Sequence, residues 1–446
     1  MKLFGTDGLR GKAGDFPLDA VTIRRIGQEI GRKVARGDRA EVVIGGDTRE
    51  STNGILAQLA VGIVEGGGRV APAGVLSTPG VAEVVLELGA GAGISVSASH
   101  NPWQDNGIKI FGRDGRKWPD ADEAALEVAL LASRDTPLDA GSPSPPPPDS
   151  RLCDVYLERL RRSVPVDLAG LRLLIDAGNG AASGLGPAAL RQAGAQVQAI
   201  CDAPDGRNIN EGCGALHPEG MARAVRDRGL ALGVAYDGDA DRSIFADETG
   251  RVLDGDDILW IIARDWRVRG VLGSGGVVGT VMSNYGLEAG LAAEGIPFRR
   301  SAVGDRNVAR LMAESGASIG GETSGHILLP FSPAGDAILT TLLLAAIVVE
   351  SGRPLSELAT LEKTPQALRN IRVARRVSID ADRTGEATRI ANLRLGERGR
   401  VFLRYSGTEP LLRILVEGPD AEEVREIADD LEAAVRGDLA VVAAAP

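Results

Sequence analysis

The sequence predicts an α/β protein: three doubly wound α/β domains plus a smaller C-terminal α+β domain around a central cleft. Three observations predict it. Short apolar strand-like runs alternate with helical patterns from near the start to about residue 350. That rhythm breaks off and restarts twice. After Pro365 it gives way to two strand-like runs and a charged helix. At 446 residues the chain is long enough for several cores.

Taken in order, Ile23, Ile26, Ile30 and Val34 share one face of a helix. Val42, Val43 and Ile44 read as a strand, and Ile55, Leu56, Leu59 and Ile63 mark a second helix. The run Ile94 to Ser99 alternates as a strand does. Ser142-Pro143-Ser144-Pro145-Pro146-Pro147-Pro148 cannot lie inside a helix or strand and reads as a stiff connector near a boundary. The rhythm restarts at Leu173 to Asp176, and again at Val277-Val278, ending in an apolar helix through Leu342 to Val349. Val401 to Leu403 and Ile414 to Val416 are the late strands, with a charged helix from Ala421. The expected domains are 1–152, 153–252, 253–366 and 367–446. Their similar rhythm suggests three related units, although no repeat is legible in the letters.

Composition excludes several functions. Aromatic residues are only 3%, so the cores must be built from Ala, Val, Leu and Ile, and a stacking surface for nucleic acid is disfavoured. The net charge of -11 means that an anionic ligand must be met by a local cluster of Arg and Lys. The most apolar stretch, Ala337 to Val349, is too short to span a bilayer. Three scattered cysteines and a start without an apolar signal segment point to reduced thiols in the cytoplasm.

Four segments carry chemistry. Asp237, Asp239 and Asp241 alternate in Tyr-Asp-Gly-Asp-Ala-Asp-Arg, and an extended chain would project them to one face. Three such carboxylates repel unless a cation joins them, and oxygen-only ligands suit Mg2+. An EF-hand would need Gly where Arg242 stands, and an aspartyl-phosphate phosphatase would have Thr or Val at Asp241. Ser97-Ala98-Ser99-His100-Asn101-Pro102 ends a strand, where a serine can act as nucleophile or carry a phosphoryl group. Lys109, further along, can steady phosphoryl charge or move a proton. Gly320-Gly321-Glu322-Thr323-Ser324-Gly325-His326 offers donors and acceptors for sugar hydroxyls. Arg404-Tyr405-Ser406-Gly407-Thr408-Glu409-Pro410 with Arg413 reads as a phosphate cradle. Gly5 to Gly11, with Arg10 among glycines, is a weaker fifth motif.

Together these segments resemble the α-D-phosphohexomutase family over essentially the whole chain. Phe4 to Gly11, Asn208-Ile209-Asn210 with Cys213-Gly214, and Thr280-Val281-Met282-Ser283-Asn284 are similar to its bacterial branch acting on glucosamine phosphate. The closing Arg-x-Ser-Gly-Thr-Glu-Pro differs from the Asn-Thr form of the phosphomannomutase/phosphoglucomutase branch. The resemblance implies an isomerase interconverting glucosamine 6-phosphate and glucosamine 1-phosphate through an enzyme phosphoserine and a sugar 1,6-bisphosphate. The alternative is the same mechanism on mannose or glucose phosphates. It implies one Mg2+ per chain and glucosamine or glucose 1,6-bisphosphate as priming intermediate.

In that scheme Ser99 carries the phosphoryl group and, with Asp237, Asp239 and Asp241, ligates the metal. Lys109 and His326 are acid/base candidates, His100 and Arg10 line the reacting phosphate, and Arg242 supports the metal loop. Glu322 and Ser324 hold the sugar. Arg404, Ser406, Gly407, Thr408 and Arg413 hold the other phosphate, on a C-terminal domain that acts as a lid. The implied partner is a phosphosugar, with no nucleic acid or membrane, and the chain acts as a monomer or homodimer. This sequence departs from the branch at Thr323, usually Gln, at Ala215-Leu216, usually Ser-Thr, and at Tyr405, usually Lys.

Overall fold

The computed structural model describes residues 3–5, 7–134, 136–373, 379–380, 382–405 and 411–438. The chain forms two compact units: Met1–Met282 with Pro297–Thr360, and Ser283–Ile296 with Leu361–Pro446.

The first unit holds three sheets with one shared plan. In the first sheet, Glu41–Gly46 lies between Arg69–Val75 and Ala92–Val96, parallel to both, and Asp105–Gly112 returns antiparallel beside Ala92–Val96. In the second, Arg172–Asp176 lies between Gln196–Ile200 and Leu232–Tyr236, and Ser243–Asp247 returns antiparallel. In the third, Val277–Thr280 lies between Phe298–Ser301 and Ile319–Gly321, and Ile327–Leu328 returns antiparallel. The first strand is thus central each time, and the third strand always leads into an antiparallel fourth. Helices connect the parallel strands, as a crossover requires. The repeat unseen in the letters is a repeat of topology.

The expected elements form where burial demands them. Ile23, Ile26, Ile30 and Val34 of helix Ala20–Ala35 are buried against Ile55, Leu59 and Ile63 of helix Thr52–Glu65. Their glycines allow close approach: a Cβ on Gly27 would lie 3.0 Å from the Gly62 Cα. The proline run carries no helix or strand. Among the described residues no helix is long and apolar enough to cross a membrane.

The apolar helix Ala337–Ser351 is buried along most of its length and ends at Gly352, whose φ of 65° suits glycine. Its cap Asp336 accepts from Leu339 N at 3.0 Å and from the Tyr156 hydroxyl at 2.9 and 3.0 Å. Burial pushes the Asp336 pKa up to about 7. A carboxyl raised in the folded state is penalised in its charged form. This cost is absent below the unfolded value, ~4, grows as pH rises to about 7, and is fully present above it. Asp336→Asn keeps an acceptor for Leu339 and Tyr156 but has no charge to bury. We expect its melting temperature to lose this falling component between about pH 4 and 7, making the variant at least as stable as the parent at pH 8. Parallel melting curves across pH test this. An unchanged slope would refute the assignment.

The second unit contains an antiparallel sheet in which Leu411–Glu417 lies between Gln366–Arg372 and Arg400–Tyr405. Helices Asp382–Leu395 and Ala421–Asp438 cover it, burying Leu395, Leu412, Ile414, Val424, Ile427 and Leu431. This is the expected smaller α+β unit. It also takes in segment 283–296, where Asn284 pairs its side chain with Thr364 at 2.8 and 3.0 Å.

Candidate active site

The three candidate segments of the first unit occupy equivalent positions in its three sheets. Each is the turn between the third strand and the antiparallel fourth: Ser99 in the first sheet, the aspartates in the second, Glu322 to His326 in the third. Ligands of parallel sheets bind beyond the carboxyl ends of their strands, and all three turns lie at such ends.

Ser99 is fully buried, with a φ of 54°, unusual for a residue with a side chain. Its Oγ donates to Asp237 Oδ2 at 2.5 Å. A network not anticipated from the sequence holds it there. The Arg49 guanidinium, itself fully buried, donates to the carbonyls of Ser99 at 2.9 Å, Asn101 at 2.8 Å and Asp105 at 3.0 Å, and also to that of Pro102. Asp47 pairs with Arg49 Nε at 2.8 Å and accepts from Ser97 Oγ at 2.6 Å. Ser97 Oγ in turn accepts from Ser99 N at 2.9 Å. Asn210 adds a second donor to the Ser99 carbonyl at 3.0 Å. The available signal was a charged Asp-Thr-Arg immediately after the strand through Ile44.

A lysine presents three donors around a point and cannot span the carbonyls that this planar fork reaches. If Ser99 is the reacting group that the resemblance implies, Arg49→Lys is expected to lower kcat by about 10–100-fold while leaving KM nearly unchanged. Single-turnover rates and hydrogen exchange over residues 99–105 test this; a proportional loss in KM alone would refute a positioning role.

Asp237, Asp239 and Asp241 are all buried, and their carboxylate oxygens converge within 4.8 Å of one another. They converge by a different route from the extended chain expected. Residues 237–242 are a turn after strand Leu232–Tyr236, with Ala240 at a φ of 56°. The turn brings the aspartates together because its backbone folds back, not because alternate residues share a pleat. Gly238 is required by close approach, since a Cβ there would lie 2.6 Å from the Ser99 carbonyl oxygen.

Lys109 Nζ lies 2.7 Å from Asp239 Oδ2 and 3.1 Å from both Asp241 Oδ2 and Asp7 Oδ2. Thr78 Oγ1 donates to Asp239 Oδ2 at 2.5 Å. The other oxygens, Asp239 Oδ1 and Asp241 Oδ1, are buried without a hydrogen-bond partner. Buried carboxylate oxygens left bare are costly unless a cation takes them. The donor set therefore fits a hard metal ion. Burial and the neighbouring Asp241 and Asp239 raise the Asp237 pKa well above its ordinary value, which a cation would reverse.

Lys109 is held as an ammonium: burial opposes its charge, but Asp239, Asp241 and Asp7 outweigh that and raise its pKa well above normal. For His326, burial is likewise outweighed by Asp241, Asp305 and Glu322, and its pKa is raised. Its Nδ1 is 3.8 Å from Asp241 and its Nε2 3.9 Å from Asp305. His100 is opposite in character. Burial, Arg242 and Arg10 push its pKa down to about 4. Its Nδ1 lies 3.1 Å from Arg242 Nη1 and 3.3 Å from Ser99 Oγ. Because a guanidinium only donates, the neutral ring accepts there and carries its proton on Nε2.

Arg10 donates to the Ala98 carbonyl at 3.2 Å and pairs with Asp7. Lys117 joins Asp7 to Asp305, the latter at 2.6 Å. Asp7, Lys117 and Asp305 were not singled out in the sequence. They line a pocket of about 110 Å³ together with Asp241, Arg242, Glu322 and His326. Glu322 Oε1 accepts from Gly304 N at 2.9 Å, and Ser324 is exposed. Thr323, the departure in this turn, sets its hydroxyl 3.4 Å from buried Asp256.

In the second unit Arg404 and Arg413 are directly paired across adjacent strands. Burial and Arg413 push the Arg404 pKa down, so an anion beside the pair would be welcome. Ser406, Gly407 and Thr408 lie outside the described residues.

Comparison with known proteins follows the same lines. Family models described as phosphoglucomutase/phosphomannomutase alpha/beta/alpha domains I, II and III and C-terminal domain match residues 1–136, 154–250, 254–364 and 356–434. The chain is 43% identical to a phosphoglucosamine mutase of Heliobacterium modesticaldum, over 96% of this chain and 98% of that one. It is 45% identical to one of Thermus thermophilus, over 97% and 98%. Among solved structures, a phosphoglucomutase/phosphomannomutase family protein from Burkholderia thailandensis shares the fold with a TM-score of 0.80 at 23% identity, covering 99% of both chains. Aspergillus fumigatus N-acetylphosphoglucosamine mutase, solved with GlcNAc-6P and magnesium, does so with a TM-score of 0.67 at 20% identity, over 98% of this chain and 95% of that one.

Proposed function

The chain belongs to the phosphoglucomutase/phosphomannomutase family, and from that membership we propose that it interconverts glucosamine 6-phosphate and glucosamine 1-phosphate with Ser99 as phosphoryl carrier. It is a phosphohexomutase, an isomerase that relocates a phosphoryl group within one sugar. The observation that carries the mechanism is the 2.5 Å approach of Ser99 Oγ to a triad of buried carboxylates with oxygens to spare. The choice of sugar rests on relatives 42–45% identical over nearly the whole chain that are phosphoglucosamine mutases.

In the forward direction the phosphoryl group leaves Ser99 Oγ for the anomeric hydroxyl, giving the 1,6-bisphosphate. The sugar turns end for end without escaping, and the 6-phosphoryl group returns to Ser99. Asp237, Asp239 and Asp241, with an oxygen on Ser99, would hold one Mg2+, which supplies charge stabilisation to the transferring group. Lys109, kept protonated, donates toward that same charge and returns a proton to the leaving Ser99 oxygen. His326, its ring nitrogens facing Asp241 at 3.8 Å and Asp305 at 3.9 Å, takes the proton of the attacking hydroxyl when its ring is unprotonated. Neutral His100 with Arg10 and Arg242 surrounds the reacting phosphate. Glu322 and Ser324 receive sugar hydroxyls, and Arg404, Ser406, Gly407, Thr408 and Arg413 receive the idle phosphate. The partner is a small phosphosugar in the cytoplasm, its negative charge met by local cations such as Arg10, Arg242, Arg404 and Arg413 within a chain of net charge -11.

A coupled assay with the 6-phosphates of glucosamine, glucose and mannose tests the reading. Glucosamine 6-phosphate is expected to have the highest kcat/KM, by at least about tenfold, or roughly 1.4 kcal/mol. A higher value for either competitor assigns the protein to another branch.

A further inference from the structure

We propose that Asp176, Cys201 and Cys213 form a second cation site, one that takes a soft divalent metal ion such as Zn2+, beside the loops that carry Ser99 and Asp237. The three residues come from separate parts of the second sheet. Asp176 ends strand Arg172–Asp176, and Cys201 follows the parallel strand Gln196–Ile200 that pairs with it. Cys213 immediately precedes the short helix Gly214–Leu216. One carboxylate oxygen and both sulfurs lie within 4.8 Å of one another. Zinc–sulfur bonds of about 2.3 Å and zinc–oxygen bonds of about 2.0 Å bring donors to comparable separations, so small side-chain movements suffice.

The donors are already oriented. Asp176 Oδ1 accepts from Gly178 N and Oδ2 from Gly214 N, both at 3.0 Å, which fixes the carboxylate plane. Asn179 Nδ2 points at Cys213 Sγ from 3.8 Å, a contact that favours a thiolate. The Cys201 thiol is within hydrogen-bonding reach of both Cys213 and Asp176. Such outer contacts are the supporting shell that a metal ligand needs. Asp176 and Cys213 are buried, while Cys201 is only partly so and leaves a path from solvent.

The electrostatics favour a cation over bare thiols. After burial, Asp176 acts most on the two thiols, each thiol then acts on the other, and Asp202 and Glu211 add to the negative surroundings. Without a cation, both thiols are held protonated and are poor nucleophiles, which disfavours a disulfide. A divalent ion reverses that balance by releasing one proton from each sulfur and leaving two thiolates and a carboxylate around it. Sulfur donors select Zn2+ over Mg2+, so the two sites of this chain would sort ions by softness. Three protein ligands leave a fourth position for water.

The site also touches the reaction machinery. Asn210, three residues before Cys213, donates to the Ser99 carbonyl at 3.0 Å. Gly178 and Gly214 pack against the Tyr236 carbonyl, next to Asp237, and a Cβ on either would lie 2.9 or 2.6 Å from it. An ion at Cys213 would therefore stiffen both loops without contacting substrate.

The test adds Co2+ to the full-length protein saturated with Mg2+. We expect a near-ultraviolet thiolate-to-cobalt band that saturates at one equivalent and is displaced by Zn2+. Cys201→Ser and Cys213→Ser should each abolish the band, while Asp239→Asn keeps it. Cys201→Ser is the safer variant, because its partly exposed side chain changes little in volume, and its Mg2+-supported activity should be unaffected. No band at micromolar Co2+, or a band that survives Cys201→Ser, overturns the proposal. So does oxidation that joins Cys201 to Cys213 with loss of two hydrogens in protein that takes up no metal.

Discussion

Ser99→Ala should abolish the mutase reaction, with kcat lowered by about 10⁴-fold or more. In the proposed scheme the substitution removes the atom that bears the phosphoryl group between its two positions on the sugar. Mass mapping of the parent protein should find phosphate on Ser99, and the variant should carry none. Folding failure is a poor alternative explanation. Alanine bears the φ of 54° no worse than serine does, and the lost contacts are the hydrogen bond to Asp237 and the 3.3 Å approach to His100 Nδ1. Leaving Asp237 without that donor costs about 1–3 kcal/mol. Ser99→Gly makes the separation sharper. Glycine suits the left-handed backbone and should recover about 0.4–1 kcal/mol or more of stability, yet remain inactive. Activity retained in either variant would end the phosphoserine scheme.

Asp239→Asn has the second largest expected effect, a fall in kcat of about 10³-fold together with loss of Mg2+ affinity. Asp239 shares Lys109 and Thr78 through Oδ2 and leaves Oδ1 without a partner. Asparagine fills the same space and keeps a dipole toward Lys109, which retains Asp241 and Asp7 at 3.1 Å. The fold should therefore survive, and removing one of three crowded carboxylates relieves repulsion. The parent protein should gain melting temperature as Mg2+ is added, by mass action, and the variant should not. Calorimetric titration that finds unchanged Mg2+ affinity would falsify the ligand assignment.

The fold class was legible because its signals are local. Ile23, Ile26, Ile30 and Val34 repeat at helical spacing, Val42 to Ile44 lie between turn signals, and the break after Pro365 is plain in composition. The candidate site was legible where chemistry concentrates in a short run, as in Asp237 to Asp241 or Glu322 to His326. Arg49, Thr78 and Lys117 escaped notice because a single charged or hydroxyl residue in a loop looks like any other solvated one. The partners that tie them to the site lie 50 residues or more away in sequence, as with Arg49 to Ser99, or Thr78 to Asp239. The route by which the aspartates converge was also misjudged, because alternation reads the same in a strand and in a turn.

The sequence by itself determined which segments are strands and helices and which short runs carry reactive groups, since periodicity and side-chain chemistry are properties of neighbours along the chain. Tertiary structure alone decided that Ser99, the carboxylate triad and the Glu322 turn take equivalent places after the third strand of three like sheets. It also set ionisation there: Lys109 is kept charged by carboxylates that outweigh its burial, and His100 neutral by burial and guanidinium groups, neighbours that only folding brings within a few ångströms.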